Sequence, residues 1–241
     1  MSERPPITRE AAPGVTIEEI TLADEPDRWA ALGFAVEGET VELGTIRLHL
    51  AGHEAGWGIL GWSLAGIDWQ ADLDGLPTTL ATAPRQAALT KPTRRASTTP
   101  ADTGTPLHPN GVGSIDHVVA FSPRLDRTVR VLRAAGLDLR RIREEPTPAG
   151  APRQAFFRLG EAILEVVQIP ERELARAGGQ NALARFWGLA LLTNDIERTV
   201  LALGEHVSEV RPAVQPGRQI ATLKRSAGLA VPVALMSAPA A

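Results

Sequence analysis

The chain has no cysteine and no tyrosine among its 241 residues. The first absence excludes disulfides, thiolate nucleophiles and cysteine-based zinc or iron–sulfur sites. The second removes the phenol as a general acid or a ligand. Any metal must therefore sit on His, Asp or Glu. Lysine is almost missing as well, at Lys91 and Lys224 only, so the basic charge is nearly all arginine. No apolar run approaches the roughly 20 residues that a membrane span needs. The N-terminal MSERPPITREAAPG carries charge and proline where a signal peptide would carry an apolar core. A net charge of -3 and a pI of about 6.0 offer no general attraction to nucleic acid or to an anionic membrane. These features lead to the expectation of a soluble, unexported, cytoplasmic protein that handles small molecules.

What is present is a repeat. Ile115 to Phe121 alternates as a strand, Ser122-Pro123 supplies an N-cap followed by proline, and Leu125, Val129 and Leu132 mark one face of a helix that Gly136 closes. Strands are predicted near Leu139 to Glu144, Gln154 to Leu159 and Ala162 to Ile169. The order recurs: a strand from Trp187 to Thr193, a helix opened by Asn194 with Glu197 three residues on, and strands near Val207 to Val214, Gln219 to Lys224 and Leu229 to Met236. Asp126-Arg127-Thr128-Val129 matches Glu197-Arg198-Thr199-Val200, and Pro152-Arg153-Gln154 matches Gly217-Arg218-Gln219. Such repetition implies two halves about a pseudo-twofold axis.

A weaker copy precedes these two. Val15 to Ala23 reads as a strand, Asp24 and Pro26 open a short helix with Trp29 and Leu32, and strands follow near Ala35 to Leu43, Thr45 to Ala51 and Gly58 to Ile67. The expected organisation is a tail over 1–13, a divergent first module over 14–75, a Pro- and Thr-rich linker over 76–113, and paired second and third modules over 114–241. The fold class is α+β, built of repeated β-α-β-β-β modules. An odd module leaves a sheet face unburied, so a homodimer is the expected remedy.

Ile115-Asp116-His117-Val118-Val119 opening a module, and Phe156-Phe157-Arg158-Leu159-Gly160 leading to Ile163-Leu164-Glu165-Val166-Val167, resemble the vicinal oxygen chelate superfamily of glyoxalase, bleomycin-resistance and extradiol dioxygenase-like proteins. That resemblance implies paired modules whose curved mixed sheet forms a cup. It also implies a divalent metal held by a first-strand His and a last-strand Glu, here His117 and Glu165. Gly188 and Ala234 fall at the matching places of the third module and supply no donor. Glu19 falls opposite His117 in the first module and would be the third ligand if the first two modules paired.

The residues support a site without the family. Alternation in AILEVVQI puts Ile163, Glu165 and Val167 on one face, and a carboxylate among apolar neighbours must be paired, protonated or open to a cavity. A mutual hydrogen bond between His117 and Glu165 would satisfy both equally well. Arg153 and Arg218, matched across the repeat, suit a carboxylate or phosphate, or solvent. His108 and Asn110, in His108-Pro109-Asn110-Gly111, either line the mouth of the cup or make a turn. Trp187, at the start of a first strand, either stacks on a flat ligand or, like Trp57, Trp62 and Trp69, packs in the core or an interface.

The functional expectation is a glyoxalase-like protein that binds a small metabolite or drug, with a depleted metal site. The alternative is a divalent-metal-dependent lyase, isomerase or dioxygenase in which Glu165 moves the proton.

Overall fold

The structure is a computed structural model that describes residues 14–67, 73–81, 108–147 and 150–238. The expected tail, Trp69 and residues 82–107 of the expected linker lie outside the described residues.

The second and third modules form an open eight-stranded sheet. The second contributes β6 (Val112–Ser122), α2 (Leu125–Ala134), β7 (Asp138–Arg143), β8 (Gln154–Leu159) and β9 (Ala162–Gln168). The third contributes β10 (Arg185–Thr193), α3 (Ile196–Leu203), β11 (Arg211–Pro212), β12 (Gln219–Thr222) and β13 (Val233–Ser237). The strand order is β11-β12-β13-β10-β6-β9-β8-β7, with the two first strands antiparallel at the centre and each parallel to its own last strand. The repeated Thr128 and Thr199 lock each helix to the end of its first strand. Ser122 Oγ lies 2.6 Å from Thr128 Oγ1, and Thr193 Oγ1 lies 2.6 Å from Thr199 Oγ1. The cap of α3 is Asp195, whose carboxylate accepts the Arg198 N–H at 3.0 Å, in place of the expected Asn194.

The N-terminal half is a second, smaller sheet. It comprises β1 (Thr16–Leu22), β2 (Thr40–Leu43), β3 (Ile46–Leu50), β4 (Ile59–Ala65) and β5 (Thr78–Leu80), with α1 (Pro26–Ala31) between β1 and β2. The order is β2-β3-β1-β4-β5. β3 runs parallel to β1 and is the last strand of the first module, whereas β4 runs antiparallel to β1, as β10 does to β6. The expectation that Gly58 to Ile67 closes the first module is thereby corrected.

β4 and β5 are the stump of a further module. They pair in parallel as β10 and β13 do, and the Trp62 N–H donates to the Pro77 carbonyl as the Leu189 N–H donates to that of Pro232. All four first strands carry a β-bulge at the same place. The register skips Glu18 in β1, Leu60 in β4, Asp116 in β6 and Trp187 in β10. A bulge sets two consecutive residues against one partner and re-aims a side chain, which local alternation does not reveal. The first module thus finds its partner inside the chain, in β4, which reads as its own last strand, with β5 added from the expected linker.

One continuous buried cluster runs from Ile20, Trp29 and Leu48 through Val112 and Phe157 to Leu235, so the two sheets share a core. His108 and Asn110 belong to that joint. His108 Nδ1 accepts the Ala35 N–H at 3.0 Å, and Nε2 lies 2.9 Å from the Glu42 carbonyl. Asn110 donates to the Leu32 carbonyl and accepts from Val112. Both side chains are buried and fasten the first module to the second, so neither lines a cup mouth. Burial lowers the pKa of His108, partly offset by its bond to Glu42, which keeps the imidazole neutral in the joint. Among the described residues no helix is long and apolar enough to cross a membrane.

Candidate functional site

Strand register lays out the face of the eight-stranded sheet opposite α2 in three rows. The first holds Asp138, Arg158, Ile163 and His117; the second Arg141, Phe156, Glu165 and Val119; the third Arg143, Gln154, Val167 and Phe121. A cavity of about 480 Å³ opens over the first two rows, and Asp116, Glu161 and Arg218 also line it.

The polar floor of this cup is one connected chain of side chains. His117 Nε2 stands 3.4 Å from Glu165 Oε2, and Nδ1 stands 2.8 Å from Asp116 Oδ2. Asp116 reaches that face because it is the bulged residue of β6. Arg218 crosses from the third module, donating to Asp116 Oδ1 at 2.6 Å and to the Ser237 carbonyl at 2.8 Å. Gln154 donates to the other oxygen of Glu165.

The two carboxyls are driven in opposite directions. Burial pushes the pKa of Glu165 up, and neither His117 nor the Gln154 bond undoes it. Burial also acts to raise Asp116, but hydrogen bonds and charge from His117 and Arg218 outweigh it and hold that carboxyl low. The cup therefore contains a fixed anion, Asp116, spent on Arg218 and His117, beside a carboxyl whose pKa burial raises.

Of the residues singled out in the sequence, His117, Glu165 and Arg218 come together here. Glu19 does not: it lies on β1 of the other sheet, paired with Arg47 and Ser63, because the first module pairs with β4 and not with the second. Arg153 points away to Glu144 and Asp126, with N–O distances of 2.7 and 3.0 Å. Trp187, 46% exposed, packs against Phe121 with ring centroids 5.4 Å apart, beside the third row. Arg141 lines the cup and lies over the Phe156 ring at 5.0 Å. Asp116, Arg158 and Gln154 went unmarked. Alternation on β8, which sets Gln154, Phe156 and Arg158 on one face, was the available signal for two of them.

The sequence matches no family model and no curated protein. Solved structures do resemble it. A fusion of a xylose isomerase-like TIM barrel with 4-hydroxyphenylpyruvate dioxygenase aligns over 99% of this chain and 51% of its own, at 14% identity and a TM-score of 0.57. The chain has the vicinal oxygen chelate fold. At that identity the likeness carries the fold alone, and its coverage includes the truncated N-terminal pair. Methylmalonyl-CoA epimerase from Streptomyces coelicolor, in complex with 2-nitronate-propionyl-CoA, aligns over 54% of this chain and 99% of its own at 24% identity and a TM-score of 0.44. The epimerase from Mycobacterium tuberculosis covers 58% and 93% respectively, at 17% identity and a TM-score of 0.43.

The fold's metal position can be tested against the side chains. His117 and Glu165 offer two donors. Asp116 is tied up by Arg218 and His117, and the third module has Gly188 and Ala234 where further ligands would stand. A Cβ on Gly188 would lie 2.5 Å from the Pro232 carbonyl oxygen, so this position has no room for a donor side chain. Among the described residues no three His, Asp or Glu side chains form a metal-binding group. Protein-held catalytic ions of this kind take three or more protein ligands. The described residues do not fit such an ion.

Proposed function

We propose that the protein binds a small metabolite in the cup over His117 and Glu165, through side chains alone. What carries this reading is the Arg218–Asp116–His117–Glu165 chain. It occupies both imidazole nitrogens and cross-braces the two modules beneath a cavity of about 480 Å³, a size suited to a small organic ligand. The reading of a metal-dependent lyase, isomerase or dioxygenase requires a third donor, and Glu19 stands on the other sheet.

A thermal-shift screen of the full chain against a metabolite panel tests the proposal, because any ligand that binds only the native state raises its stability. The expected result is stabilisation that disappears in both His117→Ala and Phe156→Ala. Stabilisation that persists undiminished in both variants would put the ligand elsewhere and overturn the proposal.

A further inference from the structure

The turn His108-Pro109-Asn110-Gly111 grips the chain where it leaves α1. Asn110 takes two carbonyls there, its side chain donating to that of Leu32 at 2.9 Å and its backbone N–H to that of Gly33 at 3.2 Å. His108 holds both ends of the segment that follows, accepting the Ala35 N–H at 3.0 Å through Nδ1 and reaching the Glu42 carbonyl at 2.9 Å through Nε2. A backbone N–H only donates and a carbonyl only accepts, so these partners fix a neutral ring with its one proton on Nε2. A second proton has only Nδ1 to go to, where the Ala35 N–H already points. The imidazolium therefore cannot keep both bonds, and His108 is the one titratable side chain of the turn.

Among the described residues no carboxylate is placed to neutralise that imidazolium. The ring is buried, and Phe34 packs on it with centroids 5.3 Å apart, backed by Trp29. Glu42 offers the ring its backbone carbonyl, while its carboxylate pairs with Arg47 on β3 at 2.8 Å. Asp24 and Glu25 are turned to Trp29 and Ala230 and to His53 respectively. Asp27 and Arg28 on α1, and Glu37 and Glu39 before β2, are exposed, and none of them is ion-paired to the ring. On the other side Asp116, farther along β6, is held by Arg218 and His117. An uncompensated charge in such surroundings is costly. Burial accordingly lowers the pKa of His108.

From Glu42, β2 leads straight to the cup. The turn after it lies on two residues of the cavity lining, Ser114 and Glu161. A Cβ on Gly44 would stand 3.0 Å from Ser114 Cβ and 3.3 Å from Glu161 Oε2, and Thr45 donates to Glu161 at 3.5 Å. We propose that His108 is an acid-sensitive latch, which at neutral pH holds β2 and its Gly44-Thr45 turn against the rim of the cup and on protonation lets them go. The release is local, because the shared core keeps the two sheets together. The floor of the cup stays in place, since Asp116, His117, Glu165 and Arg218 all belong to the second and third modules. The folded-state pKa of His108 lies below its unfolded value of about 6.5. The latch therefore contributes fully above that value and is lost as pH falls through the folded one. It goes beyond the metabolite reading and does not depend on it, and its test uses no ligand.

Hydrogen exchange of the full chain at about pH 7.5 and about pH 5, corrected for intrinsic rates, tests the latch. Spin labels on Thr45→Cys and Arg158→Cys report the rim, in a chain with no cysteine of its own. On acidification the backbone amides of Ala35 and Asn110 should lose at least about tenfold in protection while the centres of β6 and β10 keep theirs. The distance between the labels should broaden over the same range. His108→Gln, which cannot take the proton, should show neither change. Protection that survives at acid pH, falls equally in His108→Gln, or falls together with β6 and β10 overturns the latch. An unchanged label distance overturns its hold on the rim. Should His108→Gln fail to fold, an NMR titration of the wild-type His108 ring decides. A midpoint that coincides with the loss of protection supports the latch, and a different midpoint rejects it.

Discussion

Arg218 and Asp116 are 102 positions apart in the chain, in different modules, and meet at 2.6 Å on the floor of the cup. Their side chains are 11% and 17% exposed, so the pair is mostly withdrawn from water. Breaking a pair of that kind is costly because the surviving charge is left without compensation.

Arg218→Ala should destabilise the protein by about 3 kcal/mol, measured by urea unfolding at neutral pH. Its pH dependence identifies the cause. The folded-state pKa of Asp116 is held below its unfolded value, so its stabilising contribution is present above the unfolded pKa and lost as pH falls through the folded one. In Arg218→Ala the folded-state pKa moves up towards the unfolded value, so the stability lost to Asp116 on acidification should be smaller than in the wild type. An unchanged acid limb would mean that Arg218 acts by packing alone.

Glu165 gives the opposite sign. Its folded-state pKa is raised by burial, so the folded protein holds the proton more tightly than the unfolded chain. Stability linked to that proton is full below the unfolded pKa of about 4.3 and declines as pH rises through the folded value. Glu165→Gln keeps the shape without the charge. It should therefore be more stable relative to wild type at neutral pH than at acid pH, as unfolding curves across that range will show. A constant difference would contradict the burial argument.

The repeat makes a graded prediction at two glycines. Gly188 and Gly61 take the same position after the bulge in β10 and β4. An added Cβ would lie 2.5 Å from the Pro232 carbonyl oxygen at Gly188, and 3.0 Å from that of Pro77 at Gly61. Gly188→Ala should cost about 2–3 kcal/mol, since backbone on both sides must move, and Gly61→Ala less. Comparison of the two melting curves tests whether the four-strand equivalence is physical.

Much of the C-terminal sheet was legible because its chemistry is local. Alternation marks β6, β8, β9 and β10, the repeated Thr128 and Thr199 mark the helices, and one face of the strands brings His117 to Glu165. Arg218 was reachable through its match with Arg153, although only one of the two faces the cup. The missed features depend on backbone that no period describes. Strict alternation sends Asp116 to the face opposite His117, and the bulge brings it back. β5 is three residues in a Pro- and Thr-rich stretch, held by pairing with β4 and not by any pattern of its own. Strand direction is equally invisible, so β4 read as the end of one module when it is the start of another. The Arg141 and Phe156 stack appears only once β7 and β8 are set in register.

Only His117 and Glu165 stand at donor positions, so the cup is expected to work without a protein-held metal. Metal analysis of protein purified without chelator, then offered Mn, Fe, Ni or Zn, tests it most directly. The expected result is substoichiometric metal after desalting and no rise in melting temperature on adding any of these ions. A near-stoichiometric ion that raises the melting temperature and is lost in His117→Ala would contradict it.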